Sequence, residues 1–145
     1  MLLATFSSFS QIKKRQAIRI TLVGDHYFAA EAYNLAIRYY QVAFTEYPEY
    51  VKAQYQMAQC YRLTQQYDSA EHHYNLIITD EQDFRYPLSR FHLAMLQLED
   101  DNREAALENF EAFRNLLVKN EQHELKKFNK YYLQAKEEID NIKLR

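Results

Sequence analysis

The chain of 145 residues contains a single glycine, Gly24, two prolines, Pro48 and Pro87, one cysteine and no tryptophan. So little glycine leaves few ways to make the tight turns of β-hairpins. A glycine-rich phosphate loop cannot be built from one glycine. The lone Cys60 excludes an intramolecular disulfide and a thiolate zinc site, and it reads as a small core residue. No run approaches the roughly 20 apolar residues that a membrane span requires. An excess of one charge sign is also missing: 18 basic residues face 20 acidic ones, for a net charge of -2, so nucleic acid is not the expected partner. What is present is apolar and aromatic. Hydrophobic residues make up 48% and aromatics 15%, enough for a packed core, and the scarcity of breakers points to helices joined by short polar loops.

Comparing the chain with itself brings out an internal period. Gly24, Tyr27, Ala36, Tyr40, Ala43 and Pro48 fall in the same order as Ala58, Tyr61, Ala70, Tyr74 and Ile77, and Gly24 lies 34 residues before Ala58. Ala94, Gln97, Ala106, Phe110 and Phe113 repeat the internal spacing 36 residues after Ala58, with the two extra residues near Arg85 and Tyr86. Stacked supersecondary units leave this mark. The alternation of small and aromatic residues resembles the tetratricopeptide repeat over about residues 17 to 120. The second segment has Gln82 in place of proline and Ile77 in place of alanine. The third departs further, with Gln97 for the aromatic, Phe113 for alanine and Val118 for proline. Small residues let the two helices of a hairpin approach closely, and the aromatics fill the space between hairpins.

The resemblance implies an all-α fold: a right-handed α-solenoid of about three tetratricopeptide-like helical hairpins (about 17–50, 51–84 and 87–120, within 12–120) and a C-terminal helix in 121–145. Paired helices are expected at Lys13 to Phe28 and Ala30 to Thr45, at Val51 to Leu63 and Tyr67 to Ile78, and at Leu88 to Leu98 and Arg103 to Val118. Asp101 or Asn102 would cap the last of these. A final helix from Glu121 to Ile142 either caps the open end of the array or leads into a further domain. Residues 1–11, MLLATFSSFSQ, are uncharged and meet the basic run Lys13, Lys14, Arg15. They read either as a clipped secretory leader, with Ser8 and Ser10 before a cleavage point at Gln11, or as a frayed terminus.

Nothing in the residue pattern asks for catalysis. His72 and His73 are neighbours, about 100° apart on a helix, and no HExxH spacing occurs. His92 reads as a surface or groove residue, and His26 and His123 lack ligand-type companions. Glu99, Asp100, Asp101, Glu104 and Glu108 lack the alternation and turn glycine of a calcium loop and suit a helix N-terminus. No metal, cofactor or enzymatic activity is expected.

The family's groove-lining positions fall on Asp25 and Phe28, on Lys52, Tyr55, Gln59 and Arg62, and on Phe91 and Met95, flanked by Leu88 and Leu98. The resemblance implies that these side chains hold a partner protein or peptide. The alternative for Leu88, Phe91 and Leu98 is packing against the C-terminal helix. Asp25, Gln59 and Met95 stand where a clamp for a C-terminal carboxylate needs other residues, which argues against that subtype. The leader-like start, the tyrosine-rich repeats and the trailing helix also resemble the N-terminal module of Bacteroidetes envelope proteins of the OmpA-family or secretion-associated type. That implies a periplasmic or outer-membrane-associated docking scaffold. A cytoplasmic adaptor or secretion chaperone for a client segment, or a regulatory domain of an enzyme, are the alternatives.

Overall fold

The computed structural model describes residues 2–119 and 125–144, with side chains from Phe9 onward, and every element among them is helical. Seven helices follow in order: α1 (Leu2–Ala29), α2 (Tyr33–Glu46), α3 (Val51–Leu63), α4 (Tyr67–Thr79), α5 (Leu88–Glu99), α6 (Arg103–Lys119) and α7 (Asn129–Lys143). A short helical stretch at 125–127 precedes α7. The spacing of the sequence locates α2 to α6 to within a few residues. The exception is α1, expected from Lys13, which runs unbroken from Leu2. His123 and the expected start of the last helix at Glu121 lie outside the described residues.

The turns explain how so many hairpins form with one glycine. Glu31, Gln65 and Asp101 all take the left-handed backbone conformation, with φ of 57°, 59° and 56°. They occupy equivalent places, each seven residues after Gly24, Ala58 or Ala94. Around each, the same pair of hydrogen bonds closes the helix end: Glu31 N donates to Phe28 O and Ala32 N to Tyr27 O, Gln65 N to Arg62 O and Gln66 N to Tyr61 O, Asp101 N to Leu98 O and Asn102 N to Gln97 O. This is the Schellman termination, ordinarily completed by glycine. The period therefore persists in the backbone where the residue types hide it. Elsewhere Pro48 ends α2 by lacking an N–H and holding Tyr47 out of the helical region, at φ -147° and ψ 85°. Asn102 Oδ1 accepts from the Ala105 N–H at 3.4 Å, the N-cap interaction expected at α6.

Two compact units divide the chain, Met1–His73 and Tyr74–Arg145, with the boundary inside α4. In the first, α1 packs on α2 and α2 on α3. Ala17, Ala43 and Ala53 are buried where these helices come closest, with Ile20, Phe44, Tyr47 and Tyr50 around them. Ala36, Tyr40, Met57 and Cys60 form the other buried cluster of this unit. Gly24 belongs to the same close approach: a Cβ there would lie 2.6 Å from Cε1 of Tyr40. Only a residue without a side chain lets the Tyr40 ring come this close to α1.

In the second unit, Phe91, Ala94, Ala106, Phe110, Phe113 and Leu117 of α5 and α6 are buried together with Ala135 and Ile139 of α7. The apolar recurrence read along the final helix is thus spent on covering α5 and α6. The 80–87 connection is pinned by Asp83, which accepts from Arg90 Nε, while Arg90 also donates to Asn109 Oδ1 at 3.1 Å. Asn109 in turn donates to Gln97 Oε1 at 3.0 Å, so Asp83, Arg90, Asn109 and Gln97 are linked in a chain.

Candidate partner-binding surface

Helical spacing puts Lys52, Tyr55, Gln59 and Arg62 on one side of α3. Asp25 of α1 is brought to the start of that row. Its carboxylate accepts from Lys52 Nζ at 2.7 Å, Tyr40 Oη at 2.9 Å and Gln56 Nε2 at 3.3 Å, so one side chain links α1, α2 and α3. Partial burial pulls the carboxyl pKa up, but the hydrogen bonds from Lys52, Tyr40 and Gln56 outweigh it and hold Asp25 below the ordinary carboxylate value. Burial, and then the same carboxylate, push the Tyr40 hydroxyl far up, so it remains a donor. Asp25 and Lys52, expected to face a partner, spend much of their charge on each other. Tyr40 and Gln56 complete the link and were not legible as members of it, because nothing in the sequence relates residues so far apart.

Farther along α3, Arg62 donates from Nη2 to Gln59 Oε1 at 3.0 Å. Gln59 is 7% exposed. Gln59 Nε2 and Arg62 Nε find no acceptor among the described residues. Tyr55 is half-buried beside them. Phe28 closes the end of α1, its ring edge-on to Tyr33 at 5.5 Å, and packs against the Tyr40 cluster.

In the second unit the structure corrects two expectations. Phe91 is 3% exposed. Its ring lies 5.8 Å from Phe110, 5.5 Å from Phe113 and 5.1 Å from Tyr131 of α7, so it is a core aromatic with no face left for a partner. Leu88 and Leu98 pack partly buried against the same cluster, which with Phe91 is the alternative that the sequence left open, and Met95, expected in the groove, packs there as well. His92, read as a surface or groove histidine, is 8% exposed, stacked on Tyr74 and edge-on to Tyr131. The reason is common to both: α7 offers apolar residues to the side of α5 that a bare groove would leave open.

Burial perturbs two further groups, His73 and Cys60. His73 stacks on Tyr61 at 5.5 Å and meets Phe44 edge-on, and burial, then the neighbouring His72, lower its pKa from 6.5 to about 4. Burial pushes the Cys60 thiol up to about 12. Among the described residues no group of three or more His, Cys, Asp or Glu is arranged to hold a metal ion.

Hairpins of this geometry, with glycine or alanine at the crossing and tyrosine across from it, have a counterpart among known families. Residues 27–87 match the tetratricopeptide repeat. The likeness to solved structures extends over most of the chain. The secretion chaperone SycD of Yersinia enterocolitica, solved with a peptide of the translocator YopD, superposes with a TM-score of 0.76 at 18% identity, covering 90% of this chain and 94% of that one. PcrH of Pseudomonas aeruginosa, solved with the chaperone binding region of PopB, gives 0.70 at 18% identity over 86% and 94%. The Sgt2 tetratricopeptide domain of Aspergillus fumigatus gives 0.68 at 17% identity over 90% and 83%. At such identities the likeness establishes the tetratricopeptide fold and nothing finer. No curated protein sequence matches the chain significantly. No helix among the described residues is long and apolar enough to cross a membrane.

Proposed function

We propose that this chain is a non-catalytic scaffold that holds a segment of a partner protein, in the manner of a secretion chaperone or adaptor. The observation that carries the reading is the row on α3: half-buried Tyr55 and Arg62 lie on one side of the helix, with Gln59 buried between them and holding Arg62 through its Oε1. An aromatic with an arginine is the combination that dominates protein interfaces. The fold supports the same reading, since SycD and PcrH are solved with segments of their own partners. Asp25 and Lys52 shape the near end of the surface and Phe28 its margin, and 12–120 is the repeat array. Attachment to a bacterial envelope complex is a narrower version that rests on the leader-like 1–11 stretch, the tyrosine-rich repeats and the trailing helix.

The test is a photo-crosslinking residue introduced in turn at Tyr55, Arg62 and, on the exposed side of α2, Val42, in cells that make the protein. Adducts with one partner at positions 55 and 62 but not at 42 are expected. Tyr55→Ala with Arg62→Ala should weaken binding to that partner about thirtyfold or more without loss of helicity. Equal adducts at all three positions, or unchanged binding by the double variant, would remove the α3 surface from the account.

A further inference from the structure

The outer face of α1 is unused by the fold and by the surface described above. Ala17, Thr21 and Gly24 face the core, whereas Phe9, Ile12, Arg15, Arg19 and Leu22 follow one another at three- and four-residue steps on the other side, with Val23 four residues after Arg19, all exposed. Phe9 is 59%, Ile12 60%, Leu22 58% and Val23 41% exposed, unusual for apolar residues that share a helix face. Lys13 Nζ lies over the Phe9 ring, 5.1 Å from its centroid, which adds a further cation at the near end of the stripe. The charge is one-sided. The first 24 residues hold Lys13, Lys14, Arg15 and Arg19 and no carboxylate, while the rest of the chain carries 14 basic against 20 acidic residues.

We propose that this face of α1 lies along an anionic lipid surface, independently of partner binding through α3. Phe9, Ile12, Leu22 and Val23 would enter the boundary between headgroups and acyl chains, and Arg15 and Arg19 would reach up to lipid phosphates along their aliphatic stems. A bilayer needs no matching pocket, so a single convex stripe suffices. A second copy presenting the same stripe would set arginine against arginine, which disfavours self-association there. The helix would lie on the surface, since none of the described helices can span a bilayer.

Sedimentation of the full chain with vesicles tests this. Binding to phosphatidylcholine vesicles containing phosphatidylglycerol, and little to phosphatidylcholine alone, is the expected result, with release at high salt. Arg15→Gln with Arg19→Gln, and separately Ile12→Asn with Val23→Asn, should each weaken binding about tenfold or more while leaving the circular dichroism unchanged, because all four side chains are exposed. No sedimentation with anionic vesicles, equal sedimentation with both vesicle types, or variants that bind like the parent would each overturn the proposal. So would variants that leave vesicle binding intact but lower the solution mass, a result that would assign the stripe to contact between copies.

Discussion

Gly24→Ala probes the close crossing on which the first unit depends. The added Cβ would lie 2.6 Å from Cε1 and 2.8 Å from Cδ1 of Tyr40, where ordinary contacts begin near 3.4 Å. Tyr40 cannot readily yield, for its ring is fully buried and its hydroxyl is held at 2.9 Å by Asp25. Alanine favours the helix by about 1 kcal/mol over glycine. Against that stand about 1–3 kcal/mol of overpacking and, if the ring shifts, about 1.5–3 kcal/mol for the hydrogen bond to a charged acceptor. With the ring displaced, as a 2.6 Å contact requires, the sum is a net destabilisation of about 1.5–5 kcal/mol, measurable as a lower urea midpoint followed by far-ultraviolet circular dichroism. A Tyr40→Leu background removes the ring that the methyl would strike. There Gly24→Ala should become neutral or stabilising. A single variant at least as stable as the parent would refute the account of why glycine stands at this position.

Gln65→Gly should raise stability by a few tenths to about 1 kcal/mol, because the left-handed backbone at Gln65 costs a side-chain-bearing residue more than the extra chain entropy of glycine. A lower urea midpoint for this variant would show that the turn is not strained. For His73 the pKa is lowered by folding, so the unfolded chain binds the proton more readily, and its contribution is complete above about pH 6.5 and declines as the pH falls towards about 4. Thermal melts should show a midpoint that drops across that window, with a shallower drop in His73→Gln; identical slopes in the two proteins would mean that the Tyr61 stack tolerates the charged ring.

The fold was legible in the sequence because its hairpins require the same few things in each turn of the pattern. A small residue must sit at each crossing and an aromatic opposite, and Gly24 with Tyr40, Ala58 with Tyr74, and Ala94 with Phe110 declare it. Helix boundaries followed from that register and from Pro48. The left-handed turns at Glu31, Gln65 and Asp101 were not legible, since a residue other than glycine in that conformation is selected by the closing hydrogen bonds and leaves no mark in composition. The surface was legible only in part. Spacing puts Lys52, Tyr55, Gln59 and Arg62 on one side of α3, but whether a side chain on such a face stays available depends on what approaches it from elsewhere in the chain. Tertiary structure alone decided that Asp25 is engaged by Tyr40, Lys52 and Gln56, and that α7 takes Phe91 and His92 out of solvent. Periodicity is local and survives in one dimension, whereas burial is a sum over neighbours distant in sequence, and it is burial that separates a binding residue from a core one.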